Sequence, residues 1–347
     1  MNKIILTLVF GLLFWSCKSQ NVNTNHFTSV TIDTLFQDKI SIRALTLDQN
    51  KVWYAADKSR FGFFDLTLNQ KKEVQIPFEK SVEFRSIAQT NKYVFIISVA
   101  NPALLYRISK EDFSYKLVYQ ENHEKVFYDS MQFWNDKEGI AIGDPIEGSF
   151  SVITTRDGGA SWQKTPSIQW PQLVEGEAAF AASNTNIVIK GNATWVVSGG
   201  KKARVFYSSN KGKSWSVVET PIVQGKQMTG IFTADFYNSS VGFISGGNYE
   251  VLNQNFDNKA VTYDSGKTWK LVAQNQGFGY ASCIQYIPNS HGKGLISVGA
   301  SGINYSNDGG TSWKQCSTDS GLFTIRLLNK NTAIAAGKNK VIRIRFK

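Results

Sequence analysis

Seven side chains of this sequence are the best placed to do chemistry: the bases Arg43, Arg85, Arg326 and Lys226, and the proton-bearing groups Asp129, Glu177 and Tyr280. A guanidinium offers a planar fork of donors that grips a carboxylate, sulfate or phosphate bidentately, so arginines brought together suit an anionic ligand. The alternative is that these charges pair with one another and line a wet channel. Other chemistries lack their parts. His26, His123 and His291 lie far apart, and no cysteine pair has ligand spacing, so no metal is expected. There is no Gly-x-Ser-x-Gly elbow, Walker loop or dinucleotide fingerprint in a strand–turn–helix setting, and no cofactor is expected.

A repeat would bring the seven together. Four octapeptides align without gaps: Thr155-Arg-Asp-Gly-Gly-Ala-Ser-Trp162, Ser208-Ser-Asn-Lys-Gly-Lys-Ser-Trp215, Thr262-Tyr-Asp-Ser-Gly-Lys-Thr-Trp269 and Ser306-Asn-Asp-Gly-Gly-Thr-Ser-Trp313. Asp157, Asn210, Asp264 and Asp308 are read as turn residues that accept bonds from their own backbone. Glycine supplies the positive φ, and Trp162, Trp215, Trp269 and Trp313 bury a face against the neighbouring repeat. These aspartates are therefore structural, not catalytic. A fainter period covers the whole chain: apolar runs ending in a small residue at Val52–Ala56, Val94–Ser98, Gly139–Gly143, Trp195–Gly199, Gly242–Gly246, Gly294–Gly299 and Ala333–Gly337. Seven runs recurring about every 47 residues fit propeller blades. The expectation is an all-β, seven-bladed β-propeller of four-stranded antiparallel blades, occupying 27–347 as one domain. The last repeat runs out of chain after three strands, so Phe27–Leu35 is expected to close the ring as its fourth. In this alignment the innermost strands carry Arg43, Arg85, Asp129, Glu177, Tyr280 and Arg326, with Lys226 on a loop nearby. Cys283 and Cys316 fall on the inner and outer strands of one blade, three strand spacings of about 4.8 Å apart, too far for a disulfide.

Composition and the N-terminus bear on location. Of 347 residues, 42% are hydrophobic and 19% charged, which is too polar for a multispanning membrane protein. Residues 1–16 read as an export signal: Lys3 supplies the positive start, and Ile4 to Trp15 form an apolar run too short for a membrane-spanning helix. Ser16-Cys17 resembles a lipoprotein cleavage box, which would make Cys17 the acylated N-terminus and 17–26 a polar tether. The expectation is an exported, cell-envelope protein on a lipid anchor, a monomer, meeting no nucleic acid. The formal charge of +11 is read mainly as solvated lysines on turns such as Lys211, Lys213 and Lys267.

The octapeptide is similar to the Asp-box, or BNR, repeat. Beyond it, the chain resembles exported bacterial propellers related to the photosystem II stability/assembly-factor family, through Ser41-Ile-Arg-Ala, Phe84-Arg-Ser-Ile, Asp129-Ser-Met-Gln-Phe-Trp134, Gly143-Asp-Pro-Ile-Glu-Gly148, Gly176-Glu-Ala-Ala-Phe180 and Pro221-Ile-Val-Gln-Gly-Lys226. That resemblance implies a non-enzymatic scaffold binding a protein partner or an anionic glycan at the channel mouth. Asp-box propellers also include sialidases. A sialidase-like hydrolase of acidic glycans would use Arg43, Arg85 and Arg326 on the substrate carboxylate, Tyr280 as nucleophile activated by Glu177, and Asp129 as acid/base. The family's Phe/Tyr-Arg-Ile-Pro motif is absent, since Ser41-Ile-Arg43-Ala44 lacks the proline.

Overall fold

The computed structural model describes residue 27 and residues 29–347. The expected signal at 1–16, Cys17 and the tether at 17–26 lie outside the described residues. Among the described residues every regular element is a β-strand except one 3-10 turn, Ser167–Gln169, and every strand pairing is antiparallel. The sheets are packed between one another, so their inner strands are apolar on both faces. Tyr93–Ser98 buries Val94, Phe95, Ile96 and Ile97 in succession, and those side chains enter two different core clusters, with Trp53 and Phe61 on one side and Met131 and Trp162 on the other.

The blade count corrects the sequence expectation. The strands form six hydrogen-bonded sheets, so the propeller has six blades, not seven, and only four of them are four-stranded. One six-stranded sheet runs through Leu322–Asn329, Thr332–Phe346, Val30–Asp48, Lys51–Ala56, Arg60–Asp65 and Gln70–Gln75. The cause is continuity of the chain. Val30–Asp48 is one strand of 19 residues, whose first part pairs with Phe346 back to Val341 and whose second part pairs with Ala56 back to Lys51. The strands counted as a seventh repeat therefore run on into the first sheet. The other six-stranded sheet gains two short pieces, Glu177–Ala178 and Gly199–Gly200, joined to Thr229–Phe236 through Gly199 and Gly230.

The four octapeptides close turns at one end of their sheets. The Thr155 hydroxyl donates to Asp157 (2.8 Å) and accepts from the Gly159 N–H (2.9 Å), while Ser161 donates to Asp157 through its N–H (3.0 Å) and its hydroxyl (2.6 Å). The same bonds recur around Asp264 and Asp308, and around Asn210 with one reversed, its amide donating to the Ser214 hydroxyl. The Thr268 hydroxyl, with the turn's other donors, holds the Asp264 carboxyl down at about 2, so it is a fully ionised acceptor for its own corner. The fifth position must be glycine twice over. Gly159 and Gly310 have φ of +77° and +88°, and a Cβ on either would sit 2.2 Å from the ring of Phe95 or Phe243. Trp162 packs on Phe95 and Phe133, and Trp313 on Phe243 and Phe278. Cys283 and Cys316 are free thiols in the inner strand Ala281–Tyr286 and the outer strand Lys314–Ser317 of one sheet.

Candidate functional site

Seven strands border the channel, because the merged sheet supplies two of them, Leu322–Asn329 and Val30–Asp48, and six of the seven share one irregularity. Ile42 and Ala44 pair with the consecutive residues Ala56 and Ala55, which leaves Arg43 as an extra, unpaired residue. The same bulge sets out Arg85, Asp129, Phe232, Ser282 and Phe323. A bulge frees one residue from the ladder and turns its side chain, here toward one mouth of the channel. The sequences share a form, apolar–variable–small–apolar: Ile42-Arg-Ala-Leu45, Phe84-Arg-Ser-Ile87, Tyr128-Asp-Ser-Met131, Ile231-Phe-Thr-Ala234, Ala281-Ser-Cys-Ile284 and Leu322-Phe-Thr-Ile325. The variable position is the ring of bulges.

The remaining inner strand, Ile187–Lys190, starts late, and the residues before it cross the channel instead. The Ala182 carbonyl accepts from Arg43 (3.4 Å) and from the Ser282 hydroxyl (3.4 Å). The Ser183 hydroxyl donates to the Ser282 carbonyl (2.6 Å). Asn184, at φ of 60°, donates to the Ile87 carbonyl (2.7 Å) and accepts from the Met131 N–H (3.0 Å), and Thr185 donates to Thr233 (2.8 Å). One segment thus bonds to inner strands on every side and plugs the channel.

Above this plug lies a cleft of about 600 Å³ whose lining includes Arg43, Arg85, Asp144, Phe180, Tyr249 and Tyr280. Arg43 lies over the Phe323 ring at 4.1 Å and, among the described residues, makes only its long bond to Ala182; Arg85 donates to Glu83 at 2.8 Å. The Nε of each is buried without a hydrogen-bond partner. Burial, with Arg85 close by, pulls the Arg43 pKa down from its usual value. The facing wall is aromatic: Phe180 stacks on Phe232 at 3.9 Å, and Tyr280 meets Phe232 and Tyr249 edge-on at 4.9 and 5.0 Å. Lys201 adds a further positive charge to the rim.

Beside Arg85 sits a pair of carboxyls. Asp129 is fully buried, and neither of its oxygens closes a hydrogen bond of normal geometry, although the Ala181 N–H approaches it. Burial first, and Asp144 second, push its pKa well up against the pull of Arg85. Asp144 occupies a second bulge between Gly143 and Pro145, accepts from the Ala179 N–H at 3.2 Å, and is pushed up to about 7 by burial. A carboxyl whose pKa is raised on folding binds a proton that the unfolded chain has lost. Its contribution to stability is therefore present at acid pH and lost as pH rises from about 4 to about 7, at up to about 1.4 kcal/mol per pH unit. Asp144→Asn is expected to flatten that decline, read as thermal midpoints at pH 4.5, 5.5, 6.5 and 7.5. An unchanged slope would show that Asp144 ionises normally.

The structure sorts the expected site residues. Arg43 and Arg85 share the cleft. Arg326 does not line it: its guanidinium donates to the Ile325 carbonyl (2.8 Å), Thr324 (3.2 Å) and the Ser183 carbonyl (3.3 Å), holding the plug. Lys226 is exposed on its loop, and its neighbours Gln227 and Met228 reach the cleft instead. Glu177 is not on an innermost strand but in the short piece paired with Gly199–Gly200. Its carboxylate is saturated: one oxygen accepts from Ser198 (2.6 Å) and Arg204 Nε (2.9 Å), the other from the Val174 N–H (3.1 Å) and the second arm of Arg204. It has no lone pair left to take a proton from Tyr280, whose own pKa burial raises. Glu177 and Tyr280 both line the cleft, and among the described residues no hydrogen bond joins them. Phe232, Tyr249, Phe323 and Asp144 belong to the site and were not singled out in the sequence; the recurring apolar–variable–small–apolar form was the signal for two of them.

No family model matches the chain, and no curated protein matches it. Solved structures do. YCF48 bound to D1 peptide is similar with a TM-score of 0.66 at 13% identity, over 92% of this chain and 97% of that one. YCF48 from Cyanidioschyzon merolae gives 0.61 at 11% identity, over 92% and 98%, and the RRP9 WD40 repeats give 0.63 at 12%, over 91% and 97%. At such identities the likeness establishes the fold, and the chain is a β-propeller.

Proposed function

We propose that this propeller is a non-enzymatic scaffold that holds an extended, carboxylate-bearing segment of a partner protein in its channel mouth. The observation that carries the reading is the pair of bulge arginines. Arg43 and Arg85 stand side by side in an open cleft, and most of their donors are uncommitted. An unsatisfied donor in a half-dry site costs about 1–3 kcal/mol, which an arriving carboxylate recovers. The aromatic wall opposite suits the apolar part of a peptide. YCF48, a propeller of similar shape, has been solved bound to D1 peptide, which supports a peptide as the occupant here. An anionic glycan is the second candidate ligand for the same arginines.

The turn bonds around Asp157, Asn210, Asp264 and Asp308 support placing the chain among Asp-box propellers akin to the photosystem II assembly factors. Export through 1–16 and acylation of Cys17 belong to the same proposal. The Phe27 ring packs at a tilt on Tyr305 and Phe346, beside the Ser306 turn and at the far end of Gly302–Ser306 from the cleft. A lipid tether leaving from there would turn the cleft away from the membrane.

The test is capture from native membranes by the mature protein, beside an Arg43→Ala, Arg85→Ala variant. Arg326 stays unchanged because its donors hold the plug. The expected result is a discrete protein kept by the wild type and lost by the variant. A partner held equally by both would move the interface off the cleft and sink the reading.

A further inference from the structure

The loop that follows Gly242–Asn248 carries four large apolar side chains in the open: Tyr249, Val251, Leu252 and Phe256 are 44%, 46%, 45% and 45% exposed. Single exposed apolar residues are ordinary, but a cluster in one loop marks a contact surface. The loop is not slack. The Tyr249 N–H donates to the Met228 carbonyl (2.9 Å), and the Leu252, Asn255 and Asp257 carbonyls accept from Tyr280 (2.8 Å), Asn275 (3.1 Å) and Val223 (2.7 Å). Beneath it the Asn258 amide donates to the Phe278 carbonyl (3.0 Å), and the buried Lys259 amine donates to Asn258 (2.6 Å) and to the same carbonyl (2.9 Å). Burial without a carboxylate partner lowers that amine to about 7, a cost the fold carries to keep the loop's footing. A surface held this rigidly loses little entropy on binding.

The loop is continuous with the cleft. Tyr249 lines the cleft, and Tyr249 and Leu252 also line a smaller cavity of about 230 Å³ together with Arg43, Tyr280 and Phe323. We infer that residues 249–256 form a second, apolar half of the binding surface, taking bulky hydrophobic side chains of the same partner segment. This inference rests on the scaffold reading above. It adds that acidity alone is not what the site recognises: an acidic segment without bulky apolar residues binds weakly.

The test is selection from a phage-displayed library of random dodecapeptides on three immobilised mature proteins. They are the wild type, Arg43→Ala/Arg85→Ala, and Val251→Ser/Leu252→Ser/Phe256→Ser, each first shown to melt cooperatively. The wild type is expected to enrich sequences joining a carboxylate to bulky apolar residues, and the loop variant to enrich carboxylates without them. The wild-type consensus peptide should bind the loop variant at least tenfold more weakly. Identical selections from wild type and loop variant, including none from either, overturn the inference. Apolar consensus sequences lacking carboxylates, and unaffected by the arginine changes, would overturn the scaffold reading and leave the loop's role standing.

Discussion

A chain lacking residues 27–37 is expected to show no cooperative melting transition at any temperature. The deletion removes no box turn and no cleft residue, yet it takes away the strand that joins the two ends. Val30 to Thr34 pair residue by residue with Phe346 back to Ile342, and Phe36 and Gln37 continue onto Val341 and Lys340. Phe27 sits in a core cluster with Leu322, Ile344 and Phe346, while Leu35 and Phe36 pack on the cluster of Tyr54 and Phe64. Burying each such side chain contributes about 1.5–3 kcal/mol, and the whole fold holds about 5–15 kcal/mol. The loss therefore approaches the total, and it leaves Val341–Phe346 as an unpaired edge whose Arg343 and Arg345 have lost Asp33, open to pairing with other chains. A synthetic peptide of residues 27–37 added to the truncated chain should restore the transition by strand addition. A truncated chain that melts within a few degrees of the wild type would refute the closure.

Arg204→Met is the most damaging single substitution expected. The Glu177 side chain has no solvent exposure and Arg204 only 13%, and both arms of the guanidinium meet the carboxylate. Removing the arginine strands a buried charge, which costs about 3–5 kcal/mol. In a protein of this size that lowers the thermal midpoint by roughly 5–7 °C. The double change Glu177→Gln/Arg204→Met removes the stranded charge as well and should recover a large part of the loss. That recovery separates an ion pair from general damage. If the single variant melts like the wild type, Glu177 finds another partner, and its exclusion from proton chemistry with Tyr280 falls with it.

How far the sequence predicts this structure depends on what each residue answers to. The box turns are legible because the side-chain hydrogen bonds that close them are made within eight residues, from Thr155 to Trp162 and its three counterparts. The number of blades is not, because apolar periodicity counts strands. It is blind to Val30–Asp48 and Thr332–Phe346 running on without a break, and so to the merging of the first and last repeats into one sheet. Arg43 and Arg85 are legible through their place in the repeat. Arg326 misleads for the same reason: it lies four residues beyond Leu322, past the bulge at Phe323, and so belongs to the plug. Glu177 misleads because the strand expected there is displaced by residues 179–186, whose Ser183, Asn184 and Thr185 bond to distant sheets. No local pattern announces such a crossing. Nor does composition reveal that Tyr249 to Phe256, a run that could pass for a buried strand, faces solvent.

The central claim is that Arg43 and Arg85 read a carboxylate in the cleft. Two charge-assisted bonds of about 1.5–3 kcal/mol each predict at least a hundredfold loss of affinity when both are removed. The direct measurement is the dissociation constant of a captured partner segment, made as a synthetic peptide, for wild type and Arg43→Ala/Arg85→Ala at one ionic strength, with thermal midpoints alongside. The account predicts that hundredfold loss in a variant that still melts cooperatively. Equal affinities in the two proteins would contradict it.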